Sequence, residues 1–225
     1  GRCNERSMHK GRREGPAIVA GGGVPVSAAV AAAVDGAGCI GRLTGRARPG
    51  RGHPDPTACN IMLDPGLAFG SGTHATTALC LEWLALHDIS NKVVLDYGCG
   101  SGILAIAAAK LGASQVWAVD HDAQALQATR ENAKNNQVNV ETLFPSQLPD
   151  MEADILIANI LAQPLIELSE KLAASVKIDG NIVLSGILEN QSNKVKASYT
   201  SVFDLEPITI REEWVRLSGR KAQNP

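Results

Sequence analysis

The chain has 225 residues, a formal net charge of −2 at pH 7 and 44% hydrophobic residues. This length suits one α/β domain with an extension, and no apolar run is long enough to span a membrane. The near-balanced charge excludes a nucleic-acid footprint spread over the whole chain. Five cysteines without a C-x-x-C pair predict free thiols in a reducing cytoplasm and argue against a metal site.

The first 53 residues form a leader of unusual composition. Residues 1–58 contain twelve glycines and eight arginines, and no Phe, Trp or Tyr precedes Phe69. Residues 28–34 are small and show no amphipathic period. The composition therefore predicts a disordered or incidental leader, dispensable to the rest of the chain. A basic arm that touches RNA is the alternative.

An ordered domain is predicted to begin after the rigid Pro54-Asp55-Pro56 linker, with a short strand over residues 60–63. Residues 63–77 are rich in glycine and hydroxyl groups and precede a helix over residues 76–87. Such a loop can fold over a ligand, with residues 67–72 as a lid and Thr77 offering its hydroxyl.

A glycine turn follows the apolar strand over residues 93–95. Gly98, Gly100 and Gly102 alternate ahead of an Ala- and Leu-rich helix over residues 103–111, which Gly112 caps. Glycines let a ligand approach the backbone, and free N–H groups at a helix start favour nucleotide-like ligands. Asp120 ends the next strand, over residues 115–120, where a carboxylate can bind both hydroxyls of a ribose.

The remaining chain predicts further alternating strands and helices, hence a doubly wound α/β sheet. Gly98, Asp120 and Asn159 all fall at the carboxyl ends of predicted strands, where ligands bind in such sheets. The predicted strands are residues 138–143, 154–159 and 181–185, with a closing antiparallel pair at 202–205 and 208–217. The predicted helices are residues 122–135, N-capped by Asp122, one from Pro164 that carries Leu165, Leu168, Leu172 and Val176, and 188–198.

The glycine spacing resembles the first motif of class I methyltransferases, which bind S-adenosylmethionine. That motif reads G-x-G-x-G with an acid two residues earlier, here Asp96, whereas dinucleotide-binding turns read G-x-G-x-x-G. Together with residues 63–84 and 159–162, it makes residues 54–219 resemble the ribosomal protein L-eleven methyltransferases (PrmA family). The resemblance does not cover residues 1–53, where family members carry a substrate-recognition domain.

The resemblance implies a mostly parallel, seven-stranded Rossmann-like methyltransferase sheet with an antiparallel edge hairpin. It assigns residues 54–219 to the methyltransferase domain, and the composition of residues 220–225 predicts a polar tail. It implies that Thr77, Gly98, Gly100, Asp120 and Asn159 bind the cofactor, and that Asn159 also lies beside the acceptor amine as the catalytic residue. The implied reaction transfers methyl groups from S-adenosylmethionine to lysine side chains or the N-terminal amine of a large-subunit ribosomal protein.

Charge and chemistry refine these expectations. Residues 1–60 carry nine basic and four acidic residues and the remainder twelve and nineteen, so the C-terminal part suits a basic protein partner. We expect a cytoplasmic monomer without direct nucleic-acid or membrane binding. A lysine acceptor must first lose a proton, which a desolvated pocket favours, and the sequence offers no unambiguous general base. His74, His121 and Cys99 are interpreted as structural or solvent-facing residues.

Two other functions are open from the residues alone. One is a methyltransferase that acts on another protein or a small-molecule amine. The other is a nicotinamide-dependent oxidoreductase or a non-catalytic nucleotide binder, against which the glycine spacing counts.

Overall fold

The computed structural model describes residues 17–21, 58–63 and 74–223. The strands are β1 (Ala17–Gly21), β2 (Ala58–Met62), β3 (Val93–Tyr97), β4 (Gln115–Val119), β5 (Glu141–Leu143), β6 (Ala153–Asn159), β7 (Val176–Leu188), β8 (Phe203–Leu205), β9 (Thr209–Arg211) and β10 (Trp214–Lys221). The helices are α1 (Ala75–Leu86), α2 (Ile103–Lys110), α3 (Ala123–Asn135), α4 (Ala162–Glu167), α5 (Ser169–Ala174) and α6 (Ser192–Tyr199), and a 3₁₀ turn covers Glu189–Gln191.

Seven strands lie side by side in the order β5-β4-β3-β6-β7-β10-β8, and the short β9 pairs with the start of β10. The strands from β5 to β7 are parallel, whereas β10 runs antiparallel to both β7 and β8. The predicted doubly wound, mostly parallel sheet with an antiparallel edge is therefore confirmed. Strand order reverses between β3 and β6, and this switch point is where doubly wound sheets bind their ligands.

Helices bury apolar side chains on both faces of the sheet. On one face, β2, α1 and α2 form a core that includes Ile61, Trp83 and Ile106. On the other face, α4, α5 and α6 pack through Leu165, Leu172 and Val195, among others. Small side chains in α2 (Ala105, Ala107 and Ala108, all fully buried) let this helix approach the sheet closely.

Several predicted boundaries are wrong where tertiary contacts override the local pattern. The helix predicted from Pro164 divides at Leu168 into α4 and α5, and Val176 begins β7 instead of ending a helix. The strand predicted over residues 208–217 divides into β9 and β10 at a turn in which Glu212 has φ 56°. β10 then continues to Lys221, into the residues predicted as a polar tail, because it pairs with both β7 and β8.

Two short strands stand outside the main sheet. β1 lies in the leader and pairs in parallel with β2. The composition of the leader did not predict this strand. The rest of the leader and the predicted lid over residues 67–72 lie outside the described residues. Among the helices that the structure describes, none is long and apolar enough to cross a membrane.

Candidate active site

The turn over residues 98–102 joins β3 to α2 at the switch point. Gly98, Gly100 and Gly102 have φ of 83°, 54° and 80°, values that L-residues with a side chain adopt at a cost. The Gly98 N–H donates to the carbonyl of Val119 at 2.7 Å, and the Gly102 N–H donates to that of Cys99 at 2.8 Å. The turn is thus fastened both to the end of β4 and within itself.

Gly98 lies against the residue that follows β6. A Cβ atom at this position would lie 2.2 Å from Cγ2 of Ile160. The glycine spacing predicted that this space is open to a ligand, but the side chain of Ile160 already fills it. Gly98 is therefore required for packing between the ends of β3 and β6, whatever else it contacts.

Asp120 follows β4, and its carboxylate is fixed by backbone donors. Oδ2 accepts the Gly100 N–H at 3.0 Å, and Oδ1 accepts the Asp122 N–H at 3.0 Å. The residue is 8% exposed, and the exposed His121 lies beside it, with 3.4 Å between Nδ1 and Oδ1. Asp120 and Gly100, both predicted cofactor ligands, are thus in direct contact.

Thr77 and Asn159 are 82 positions apart in the chain and touch each other. The Asn159 side-chain N–H donates to Oγ1 of Thr77 at 3.2 Å, which joins α1 to the carboxyl end of β6. Thr77 is 3% exposed and Asn159 is half-buried, so the contact lies at the boundary between the core and the surface. Because Ile160 packs on Gly98, a series of contacts and adjacent residues connects Thr77 and Asn159 with the glycine turn and Asp120.

His74, and not Thr77, caps α1. His74 Nδ1 accepts the Thr76 N–H at 3.4 Å and lies 2.9 Å from the Thr76 hydroxyl. Its ring packs edge-on against Trp214, with 4.9 Å between centroids. The structural interpretation of His74 is consistent with this capping role, and Thr77 is not needed to cap the helix.

Asp96, the acid of the first motif, is buried beneath the turn. It is 1% exposed; Oδ2 accepts the Ala105 N–H at 3.0 Å, and Oδ1 has no hydrogen-bond partner among the described residues. Burial raises the pKa of this carboxyl to about 7. Burial also raises the pKa of the Cys99 thiol, which agrees with a packing role for that cysteine.

A family model described as "Ribosomal protein L11 methyltransferase (PrmA)" matches residues 48–222. The chain belongs to the PrmA family. It is 54% identical over 171 residues to a ribosomal protein L11 methyltransferase of Pseudomonas savastanoi pv. phaseolicola. The matched region covers 75% of this chain and 59% of that protein. The match to its counterpart in Aeromonas hydrophila is 52% identical over 174 residues, which is 76% of this chain and 60% of that protein.

Solved structures agree with the family assignment. A ribosomal protein L11 methylase from Lactobacillus delbrueckii subsp. bulgaricus superposes with a TM-score of 0.71 at 34% identity, covering 77% of this chain and 92% of that chain. A methyltransferase from Pyrococcus furiosus has a TM-score of 0.59 at 17% identity, which supports the fold alone. This PrmA-family chain spans about 59% of the length of the curated Pseudomonas relative.

Membership in the PrmA methyltransferase family implies S-adenosylmethionine as the methyl donor, and the residues at the switch point suit that molecule. A carboxylate has about four lone-pair positions, so Asp120 can accept two ribose hydroxyls beside its two backbone donors. The glycine turn brings backbone close to the same edge, and Thr77 and Asn159 add a hydroxyl and an amide. No cluster of His, Cys, Asp and Glu within the described ranges is arranged to hold a metal ion.

Three polar residues near the candidate site were not predicted from the sequence. Thr129 and Asn132 lie on one side of α3 and Asn136 caps its C-terminal end; all three are at most 6% exposed and bond to the backbone of other segments. Their spacing of three and four residues on a helix with a buried face was the available signal. Asn and Thr are more often exposed than buried, so their residue types alone do not predict burial here.

Proposed function

We propose that this chain carries the methyl-transfer domain of a ribosomal protein L11 methyltransferase. In this proposal it transfers methyl groups from S-adenosylmethionine to amino groups of ribosomal protein L11, on lysine side chains or at the N-terminus. The names of the relatives and of the Lactobacillus structure support the substrate. The acidic excess outside residues 1–60 suits a basic protein partner.

The hydrogen bond between Thr77 and Asn159 is the observation that supports the proposal most directly. It places a hydroxyl and a side-chain amide at the carboxyl end of β6, next to the residue that packs on Gly98. Gly100, which follows β3, and Asp120, which follows β4, lie at the same carboxyl edge of the sheet. A binding protein needs such groups for the cofactor alone, whereas a methyltransferase also needs one to orient the acceptor.

Each residue has a distinct proposed role toward the cofactor. Asp120 binds the ribose, the turn over residues 98–102 lies beneath the ligand, and Thr77 and Asn159 contact its reactive end. Bound S-adenosylmethionine supplies a methyl group already activated by a sulfonium. The protein therefore has to align the acceptor, and no covalent nucleophile is required.

Asn159 orients the acceptor amine in this proposal. Thr77 holds its Nδ2, so the amide is fixed in one rotamer, and we assign Oδ1 as acceptor for an N–H of the incoming amine. Fixing that N–H directs the nitrogen lone pair toward the methyl group. A lysine amine has an ordinary pKa of about 10.4. When the amine moves from water into this edge of the sheet, its pKa falls and the neutral form is favoured.

A labelled-methyl assay tests the proposal. Purified ribosomal protein L11 and a panel of small amines are each incubated with the chain and labelled S-adenosylmethionine. Asp120→Asn is the inactive control, and calorimetry compares S-adenosylhomocysteine with NAD. Label on L11 that depends on Asp120 supports the proposal. Label on a small amine alone would show that the chain methylates a different substrate. Binding of NAD instead of S-adenosylhomocysteine would refute methyl transfer.

A further inference from the structure

The buried side of α3 and its C-terminal cap carry a row of three polar side chains, Thr129, Asn132 and the cap residue Asn136, called here the polar row. Their exposures are 0%, 1% and 6%. Positions three and seven residues apart lie on one face of a helix. Burying such groups is unfavourable unless each is hydrogen-bonded, so their partners explain why the row exists.

Two members of the row bond to carbonyls of the glycine turn. The Thr129 hydroxyl lies 3.1 Å from the carbonyl of Gly100 and 3.3 Å from Sγ of Cys99. The Asn132 side-chain N–H donates to the carbonyl of Ser101 at 2.9 Å. A trans peptide points its N–H opposite its carbonyl, so these bonds fix how the two consecutive peptide groups face.

The contact between Thr129 and the turn is tight as well as polar. A Cβ at Gly102 would lie 2.7 Å from Cγ2 of Thr129 and 2.9 Å from its Oγ1. The methyl group and the hydroxyl of Thr129 therefore both contact the turn and limit where it can lie. On the other side, Asp120 holds the Gly100 N–H at 3.0 Å, so that residue is fixed at both its N–H and its carbonyl.

Asn136 extends the row to β2. Its Oδ1 accepts the Met62 N–H at 2.8 Å, and its Nδ2 donates to the Met62 carbonyl at 2.6 Å. This side-chain amide therefore pairs with both backbone groups of Met62, as a neighbouring strand would. The same Nδ2 lies 2.8 Å from the carbonyl of Asn132.

We infer that the polar row positions the turn for cofactor binding, with Thr129 and Asn132 as positioning residues that touch neither cofactor nor substrate. The inference rests on the proposed function, because it assumes that the turn lies beneath S-adenosylmethionine. α3 thus sets the orientation of the peptide groups in the turn, and Asn136 at its C-terminal cap anchors the end of β2.

Thr129→Val tests the inference, since valine preserves shape and removes the donor. Tyr199→Phe is the matched control: it removes another buried hydroxyl, 2.7 Å from the carbonyl of Leu165 in the core on the opposite face of the sheet. Thr129→Ser restores the hydroxyl. Calorimetry gives the Kd of S-adenosylhomocysteine, thermal unfolding gives the apo Tm, and hydrogen exchange reports on the amides of residues 100–102.

We expect Thr129→Val to raise the Kd about tenfold, which corresponds to about 1.4 kcal/mol. Thr129→Ser and Tyr199→Phe should stay within about twofold of the wild type, although Tyr199→Phe also loses a buried hydrogen bond and lowers the Tm. Exchange over residues 100–102 should accelerate in Thr129→Val alone. If that variant does not fold, the same measurements on Asn132→Ala decide the question.

An unchanged Kd and unchanged exchange, with only the Tm lowered, would overturn the inference and leave a structural hydrogen bond. Failure of the proposed function gives a different result, because the wild-type chain itself would then not bind S-adenosylhomocysteine. In that event the exchange measurement still shows whether the polar row orders the turn.

Discussion

Thr77→Val tests the contact that joins α1 to the end of β6. Valine fills nearly the same volume, so no cavity forms and the main loss is the acceptor for the Asn159 side-chain N–H. In the proposed complex the Thr77 hydroxyl also bonds to the cofactor, and losing that neutral hydrogen bond of about 0.5–1.5 kcal/mol corresponds to an affinity change of up to about tenfold. Losing the bond to Asn159 acts on the apo protein and lowers the Tm by about 2–4 °C per kcal/mol for a domain of this size.

We therefore expect Thr77→Val to raise the Kd of S-adenosylmethionine by about five- to tenfold, within the effect of one lost hydrogen bond, while the apo Tm falls by only a few degrees. Thr76→Val is the control, because Thr76 is adjacent and 5% exposed but its hydroxyl lies against His74. It should lower the Tm without changing the Kd. A Thr77→Val protein that binds with wild-type affinity would refute the assignment.

A double-mutant cycle with Asn159→Ala separates two ways in which Thr77 can act. Additive losses in affinity indicate that the Thr77 hydroxyl contacts the cofactor by itself. Strong non-additivity indicates that Thr77 acts by holding the amide of Asn159, because once Asn159 is gone its partner has nothing to hold.

Three further predictions concern packing, pH and the leader. Gly98→Ala should lower the Tm because its Cβ meets Ile160, and adding Ile160→Ala should recover part of that loss; a normal Tm in the single variant would contradict the packing role. The raised pKa of Asp96 means that the folded state binds more protons than the unfolded state between about pH 4 and pH 7, so the free energy of unfolding should fall as pH rises through that range. Urea unfolding of Asp96→Asn should lack that slope, and an equal slope in both proteins would refute the assignment. Deleting residues 1–53 removes β1, which pairs with β2 outside the main sheet, and calorimetry should show an unchanged Kd; a weakened Kd would mean that the leader supports the site.

The part of the fold that the sequence predicted well is the segment from β3 to α3. Its strand, turn and helix signals are local: apolar runs, a glycine turn and an acid that caps a helix. The Asp122 side chain accepts the Gln124 N–H at 2.9 Å, and α3 ends at Asn135 as predicted. Local chemistry decides such boundaries, so one sequence is sufficient to read them.

Boundaries failed where a distant partner decides the structure. β7 extends over Val176–Leu188, far beyond the predicted residues 181–185, because β6 and β10 pair along its two edges. The break at Leu168 and the turn at Glu212 likewise have no strong punctuation in the sequence. The polar row was missed for the same reason, since its partners lie between 29 and 74 positions away.

The two halves of the candidate site differ in how they are held, and that difference predicts how they respond to change. Asp120 and the glycine turn come from one continuous segment, and at least four backbone hydrogen bonds to β4, to Asp120 and within the turn fix them. Thr77 and Asn159 come from separate segments and meet through one neutral hydrogen bond. Thr77 lies in the first turn of α1 and is only four positions after residues 64–73 in the chain, so we expect substitutions in that segment to affect Asn159 before the turn. Variation there should therefore alter acceptor orientation, and hence the rate of methyl transfer, more than the affinity for the cofactor's ribose.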